Sequence, residues 1–191
     1  MTNRAVKIIS QDDKTAVVGG WGVVFGGKDL VGENFERDTD FMLDLVPRKI
    51  VLYDHALTDV KHTLGEVIKN TLEDTGIWVE AQIDRSRKYA EEVLKLIEQG
   101  IIGWSSGTAE HLVLTQGKAI KRWPIIEFSL TPTPAEPRTL GVERLKILAK
   151  DNPELKALLP QEPGEGSESV AMVDPTPTTT TTTLEVTKIT D

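Results

Sequence analysis

The chain has 191 residues, of which 39% are hydrophobic and 27% are charged. This composition is typical of a soluble globular protein with one domain and, at most, an added tail. There is no cysteine, which excludes disulfides, thiolate zinc sites and cysteine nucleophiles. No window has the ~18 apolar residues of a membrane span, and no signal-peptide pattern follows Met1, so we predict a cytoplasmic protein without membrane association.

The net charge of −8 is unevenly distributed along the chain. Residues 151–191 contain eight acidic and two basic side chains, whereas residues 1–150 have a net charge of only −2. A nearly neutral body without a basic stripe does not favour nucleic-acid binding. The acidic charge belongs to the C-terminal part.

The first half of the chain is predicted to consist mainly of strands, because Val, Ile and aromatic residues are grouped between turn residues. Gly19, Gly20 and Gly22 interrupt the second strand, which predicts a bulge or a sharp bend there. The predicted strands are 5–10, 15–25, 49–53, 64–68 and 77–83, with a loop at 26–40 and a hairpin turn at 73–76.

The second half is predicted to begin with a helix at 84–99, capped by Asp84 or Ser86 and ended by Gly100. Further predictions are strands at 101–108, 112–115 and 119–130, a helix at 140–149 and a short helical turn at 153–159. Beyond residue 160, Pro, Gly, Glu and a run of Thr replace any apolar periodicity, which predicts disorder.

The segment Gly103-Trp104-Ser105-Ser106-Gly107 contains the pattern G-x-S-x-G, which in α/β-hydrolases places a serine nucleophile between a strand and a helix. Here the predicted helix precedes Ser105 and strands follow it. In α/β-hydrolases the acid and then the histidine follow the serine in the chain. Here the only histidine after Ser105 is His111, and the only acid between them is Glu110. An esterase therefore remains an alternative with little support.

A second arrangement combines Ser105 with His55 and Glu127. His55 follows an apolar strand, and Glu127 lies between apolar residues, where a carboxylate needs a partner. In chain order these residues supply a base, a nucleophile and an acid. Each one alone also has an ordinary structural explanation, such as a loop histidine or an edge-strand carboxylate. The three histidines lack the spacing of metal ligands, so we predict no metal and no cofactor.

The order of these segments resembles the prohead, or capsid maturation, serine proteases of tailed phages. That family has a histidine near a strand end, a helix, a Ser-x-Gly strand, a Glu-x-Ser-Leu segment and a closing Pro-Ala. The corresponding segments here are Tyr53-Asp54-His55, the helix before Gly100, Ser105-Ser106-Gly107, Glu127-Phe128-Ser129-Leu130 and Pro134-Ala135, preceded by the strand from Gly20 to Phe25. The resemblance covers roughly residues 15–140.

The resemblance implies an α+β fold, related to the herpesvirus assemblin proteases, in which a distorted mixed β-barrel has helices packed outside it. It implies a protease domain at 1–150 and leaves 151–191 as an acidic, Pro/Thr-rich tail or linker. The expected substrates are a scaffold or capsid precursor protein and the protease itself, inside the assembling prohead in the host cytoplasm. A homo-oligomer is a further possibility.

The resemblance also assigns a role to each residue. His55 is the general base, Ser105 the nucleophile and Glu127 the acid that orients the imidazole. Ser106 departs from the family pattern, in which the residue after the nucleophile is usually apolar. Candidates for the oxyanion hole are the backbone at Gly107 and the side chain of Arg138. The alternative from another functional class is a non-catalytic capsid-assembly or scaffolding component built on the same barrel.

Overall fold

The computed structural model describes residues 5–159, which form two β-sheets, three α-helices and three single-turn 3-10 helices. The α-helices are α1 (Ala90–Glu98), α2 (Val142–Ala149) and α3 (Pro153–Lys156). The strands are β1 (Lys7–Gln11), β2 (Thr15–Val24), β3 (Asn34–Asp40), β4 (Ile50–Tyr53), β5 (Thr63–Glu73), β6 (Gly76–Asp84), β7 (Gly103–Thr108), β8 (Leu114–Gln116), β9 (Ala119–Arg122) and β10 (Ile125–Thr131).

The larger sheet has seven strands in the order β1-β2-β6-β5-β4-β10-β7. Its neighbours are antiparallel except for β4 and β10, which are parallel. The smaller sheet has the order β3-β9-β8. The larger sheet curls into a half-barrel, and its edge strands β1 and β7 are not paired with each other. The expected β-barrel is therefore present as a curled sheet that hydrogen bonds do not close.

The curl of the large sheet depends on a glycine in β2. The pairing of β2 with β6 shifts register between Trp21 and Val23, which confirms the predicted bend. A Cβ atom at Gly22 would lie 2.5 Å from the ring of Phe128 and 2.6 Å from Val79. The missing side chain thus lets a ring from β10 pack directly on β2, although four places separate these strands in the sheet.

Helix α1 covers the core with one apolar face. Ala90, Val93, Leu94 and Ile97 are each at most 4% exposed. The helix begins at Ala90, so the predicted start near Asp84 was wrong. Asp84 still belongs to β6, and its carboxylate accepts hydrogen bonds from the backbone and hydroxyl of Ser86 in a turn. The predicted end at Gly100 is confirmed, with a φ angle of 69° that favours glycine.

Two further predictions were wrong in the region of the small sheet. The segment predicted as a loop at 26–40 contains β3. Its many charged residues lack the apolar pattern by which a strand is usually predicted. Ion pairs join it to β9, including Lys121 with Glu36 and Arg122 with Asp40. The predicted strand at 119–130 divides at Trp123 and Pro124 into β9 and β10, which belong to different sheets.

A buried lysine precedes β4. Lys49 is only 1% exposed, and its ammonium group donates hydrogen bonds to the carbonyl oxygens of Leu43 and Val46, the latter at 2.8 Å. Burial lowers the pKa of this ammonium group. Because backbone carbonyls compensate the buried charge, Lys49 ties the preceding loop to the start of the strand that leads to the candidate site.

Regular secondary structure extends beyond residue 150, where the sequence predicted the end of the folded domain. Helix α3 begins at Pro153, and Leu155 is 6% exposed. The predicted disordered segment beyond residue 160 lies outside the described residues. Within residues 5–159, no helix has the length and apolar content needed to cross a membrane.

We predict that a chain ending at Leu159 keeps the thermal midpoint of the full chain, whereas a chain ending at Lys150 melts several degrees lower. Losing the packing of a buried leucine costs at least about 2 kcal/mol, and 1 kcal/mol corresponds to roughly 2–4 °C for a domain of this size. Calorimetry of both chains tests this. Leu155→Ala in the longer chain is the matched control and should reproduce most of the loss in thermal midpoint. An unchanged midpoint for the chain that ends at Lys150 would contradict the prediction.

Candidate active site

From Glu127 to Thr131, strand β10 has polar and apolar side chains in strict alternation. Glu127, Ser129 and Thr131 point to one face of the sheet, whereas Phe128 and Leu130 point to the other and join the core. All five residues are at most 1% exposed. Buried polar groups require hydrogen-bond partners, so the polar face of this strand must be matched by other parts of the fold.

One partner is His55, which β4 delivers. Because β4 runs parallel to β10, with Tyr53 opposite Leu130, the residues after Tyr53 reach the polar face of β10. The Nδ1 atom of His55 lies 2.7 Å from Oε1 of Glu127. Glu127 is 1% exposed, whereas the His55 side chain is 40% exposed. A buried carboxylate therefore holds one ring nitrogen of a histidine whose other nitrogen is available for chemistry.

Strand β7 supplies the other partners. Its antiparallel pairing with β10 places Ser105 opposite Ser129 and Gly107 opposite Glu127. Directly opposed residues project to the same face, so Ser105 shares the face of Glu127 and Ser129. A Cβ atom at Gly107 would lie 1.8 Å from Oε1 of Glu127. Gly107 therefore provides the space that the carboxylate occupies.

The neighbouring Ser106 lies on the opposite face of β7. It is paired with Phe128, and its hydroxyl accepts a hydrogen bond of 3.1 Å from the indole nitrogen of Trp123. Of the two adjacent serines, Ser105 is thus the one on the face of Glu127, whose carboxylate contacts His55. No hydrogen bond joins Ser105 to His55 among the described residues, and such contacts often tighten only when substrate binds.

Ser105 lies within a strand, and β7 continues to Thr108 without entering a helix. A nucleophile elbow requires a strand before the serine and a helix after it. The G-x-S-x-G pattern therefore lacks the structural context that the esterase alternative needs.

The electrostatics of the site stabilise the protonated form of His55 relative to a free imidazole. The hydrogen bond to Glu127 raises the pKa of His55 above 6.5, while partial burial of the ring opposes the rise and the charges of Glu127 and Asp54 add to it. A carboxylate in this position fixes the tautomer of the imidazole and stabilises the imidazolium ion. The arrangement suits a histidine that takes up a proton during a reaction.

Arg138, one of the two oxyanion candidates, is already engaged. Its Nε and Nη2 atoms donate to the Glu136 carboxylate at 2.7 and 2.5 Å, and Nη1 donates to the Phe25 carbonyl oxygen at 3.4 Å. Both side chains of this ion pair are largely buried. Gly107, by contrast, lies in the same strand as Ser105, two residues further along.

A cavity of about 70 Å³ is lined by Ser105 and Ser106 together with Trp104 and Trp123, whereas His55 and Glu127 do not line it. Ligand pockets for small molecules usually measure about 300–1,000 Å³, so this one fits a single side chain. Burial raises the pKa of Asp29, one of three carboxyl groups in its wall. The lining is otherwise mainly apolar and comprises Gly22, Val23, Val24, Asp29, Val31, Glu33, Phe35, Trp104, Ser105, Ser106, Trp123, Ala135 and Glu136.

The other two histidines lie elsewhere. The ring of His62 packs against Tyr53 and Tyr89, with centroid distances of 5.8 and 4.9 Å, and its Nδ1 atom is 3.2 Å from the Tyr53 carbonyl oxygen. His111 is exposed. Within residues 5–159, no group of three or more His, Cys, Asp or Glu side chains is arranged to hold a metal ion.

Two site residues were missed by the sequence reasoning, which used Ser129 only as part of a motif and gave Thr131 no role. The Ser129 hydroxyl donates to Oε2 of Glu127 at 2.7 Å and accepts from the backbone N–H of His55 at 3.1 Å. Thr131 donates to Asp54 at 2.6 Å. The signal was present: polar residues at every second position of an apolar strand mark a buried polar face.

No protein-family model and no curated protein matches the sequence. Among solved structures, the chain is similar to the KSHV protease in a complex with a hexapeptide phosphonate inhibitor. The two share 13% sequence identity and a TM-score of 0.37, over 62% of this chain and 60% of that chain. The similarity thus spans less than two thirds of the viral protease.

We predict that Gly107→Ala displaces the Glu127 carboxylate and lowers any activity of the site at least about 10²-fold, because a misplacement of ~1 Å can have that effect. Gly103→Ala is the matched control, since a Cβ atom there would lie 2.4 Å from the Thr139 hydroxyl instead of touching Glu127. Both variants should lose stability by thermal denaturation. Equal activity losses per folded molecule would contradict a specific effect on Glu127.

We predict that His55 titrates above 6.5 in an NMR pH titration of its ring protons, and that Glu127→Gln moves the midpoint down. The raised pKa means that protonated His55 stabilises the fold below about 6.5 and that this contribution disappears as pH rises through the raised pKa. Glu110→Gln removes an exposed carboxylate elsewhere and should leave the titration unchanged. A midpoint that does not respond to Glu127→Gln would disprove the coupling.

Proposed function

We propose that this chain is a serine endopeptidase with Ser105 as nucleophile, His55 as general base and Glu127 as orienting acid. The observation that supports this best is the almost fully buried Glu127 carboxylate, which holds Nδ1 of a half-exposed histidine on the face shared with Ser105. A serine hydroxyl needs such a base to become a nucleophile.

In the proposed reaction, Ser105 Oγ attacks the carbonyl carbon of a peptide bond and its proton passes to Nε2 of His55. Glu127 stabilises the imidazolium ion while the carbonyl oxygen becomes an oxyanion. The C–N bond then breaks as His55 returns the proton to the leaving amine, which leaves an acyl group on Ser105. Water, deprotonated by His55, attacks the ester, and Ser105 regains its proton as the acid is released.

The oxyanion requires hydrogen-bond donors, and loss of one such donor costs about 10²–10³-fold in rate. We favour backbone N–H groups near Gly107 over Arg138, because Glu136 and the Phe25 carbonyl already engage the guanidinium group. An extended peptide alongside β7, the edge strand of the large sheet, would place its scissile bond at Ser105.

We further propose that the enzyme acts in prohead maturation, as the resemblance to tailed-phage proteases implies. Its substrates would be a scaffold or capsid precursor and its own chain, inside the assembling prohead in the host cytoplasm. Residues 161–191, rich in Pro, Gly, Glu and Thr, have the composition of a segment that a protease groove accepts. A purely scaffolding role would not require a buried carboxylate bonded to a histidine beside a serine.

We predict that Ser105→Ala abolishes labelling by a fluorophosphonate probe and stops self-cleavage, whereas Ser106→Ala remains reactive. The first variant removes the nucleophile; the second removes a hydroxyl that accepts from Trp123 on the opposite face. Mass spectrometry after prolonged storage compares both variants with the wild type. Shortened chains from wild type and Ser106→Ala, but not from Ser105→Ala, support the proposal.

Loss of labelling in Ser106→Ala alone would move the nucleophile by one residue. The same fragments from all three proteins would indicate a contaminating protease. An unlabelled, intact wild-type protein would favour the non-catalytic scaffolding alternative.

A further inference from the structure

The turn that carries His55 has an unusual backbone. Asp54 and His55 have φ angles of 54° and 55°, in the left-handed region that side chains other than glycine rarely adopt. Two such residues in succession are unfavourable unless the surrounding structure holds them in place. Because His55 is part of this turn, the orientation of its imidazole depends on the contacts that stabilise the turn.

Strand β10 holds it at four points. The backbone N–H of Asp54 donates to the Leu130 carbonyl oxygen at 3.2 Å, and the backbone N–H of His55 donates to the Ser129 hydroxyl at 3.1 Å. The Thr131 hydroxyl donates to the Asp54 carboxylate at 2.6 Å, and the His55 ring meets Glu127. Two of the four contacts depend on hydroxyl groups of fully or almost fully buried side chains.

We propose that Ser129 and Thr131 are positioning residues that hold the left-handed turn and thereby aim His55 at Ser105. This inference depends on the protease function proposed above and extends it to residues that touch no substrate. Ser129 acts through its hydrogen bonds to the backbone of His55 and to the carboxylate of Glu127. Thr131 acts through its hydrogen bond to the side chain of Asp54.

The chemistry of a hydroxyl group explains why a serine suits position 129. Its oxygen accepts from the His55 N–H while its single proton is donated to Oε2 of Glu127. One atom therefore couples the backbone at His55 to the orientation of the carboxylate that binds the His55 ring.

Thr131 makes a second, separable contribution. Its hydroxyl donates to Asp54 and accepts from the backbone N–H of Thr133 at 3.2 Å. Valine has the same shape without the hydroxyl, so Thr131→Val removes the contact to Asp54 and leaves the packing nearly unchanged. Thr139, equally buried, donates to the carbonyl oxygens of Trp104 and Glu136 and does not touch the turn. Thr139→Val is therefore a matched control.

The test measures fluorophosphonate labelling of full-length Ser129→Ala, Thr131→Val and Thr139→Val, separating the maximal labelling rate from the probe concentration for half-saturation. We expect Ser129→Ala to lower the maximal rate about 10²-fold and Thr131→Val about 10-fold, with half-saturation unchanged, since both misplace the base. Thr139→Val should lower the thermal midpoint but leave the labelling rate within about twofold. Ser129→Thr, which keeps the hydroxyl, should recover most of the rate lost in Ser129→Ala.

NMR of the His55 Nδ1 proton provides a readout independent of activity. We expect a downfield resonance in the wild type that shifts or broadens in Ser129→Ala and Thr131→Val and persists in Thr139→Val. Wild-type rates and an unchanged resonance in both Ser129→Ala and Thr131→Val would overturn the inference. If the wild type itself is never labelled, the protease proposal fails, while the resonance still decides whether the two hydroxyls position His55. If Ser129→Ala does not fold, Thr131→Val alone decides.

Discussion

The almost complete burial of the Glu127 carboxylate is the constraint on which the candidate site depends. An unpaired buried charge costs several kcal/mol, so the fold must supply partners for both carboxylate oxygens. It does so with the ring of His55 on one side and the hydroxyl of Ser129 on the other. Gly107 leaves the space that the carboxylate fills. The requirements of one buried acid thus account for three of its neighbours.

The parallel pairing of β4 with β10 is the feature of the sheet topology that brings His55 to Glu127. Because β4 and β10 run in the same direction, the chain leaving β4 passes the polar face of β10, where its hydrogen bonds are needed. The antiparallel β7 then places Ser105 on that face from the other side. The apolar face of β10 packs in the core through Phe128, which lies against Gly22. A single strand therefore links core packing to the candidate chemistry.

Local sequence signals predicted most of the strands of the large sheet and the end of α1, because apolar alternation and a glycine stop are properties of a few adjacent residues. These signals failed where contacts between residues far apart in the sequence determine the secondary structure. The charged strand β3 pairs with β9, whose Lys121 and Arg122 contact its acids. The single strand predicted at 119–130 becomes two because its halves pair with different sheets. Helix α1 starts late because Asp84 is held in β6.

The sequence by itself determined which residue types were available for chemistry: a serine before a glycine, a histidine after an apolar strand and a carboxylate among apolar neighbours. It also excluded cysteine chemistry. Only the tertiary structure decided which serine shares the face of Glu127, since one step along a strand reverses the face. It alone gave Ser129 and Thr131 their partners, because their contacts to Asp54 and His55 join residues 74 to 77 positions apart. Contacts at such separations depend on the pairing of β4 with β10, two strands that lie far apart in the sequence.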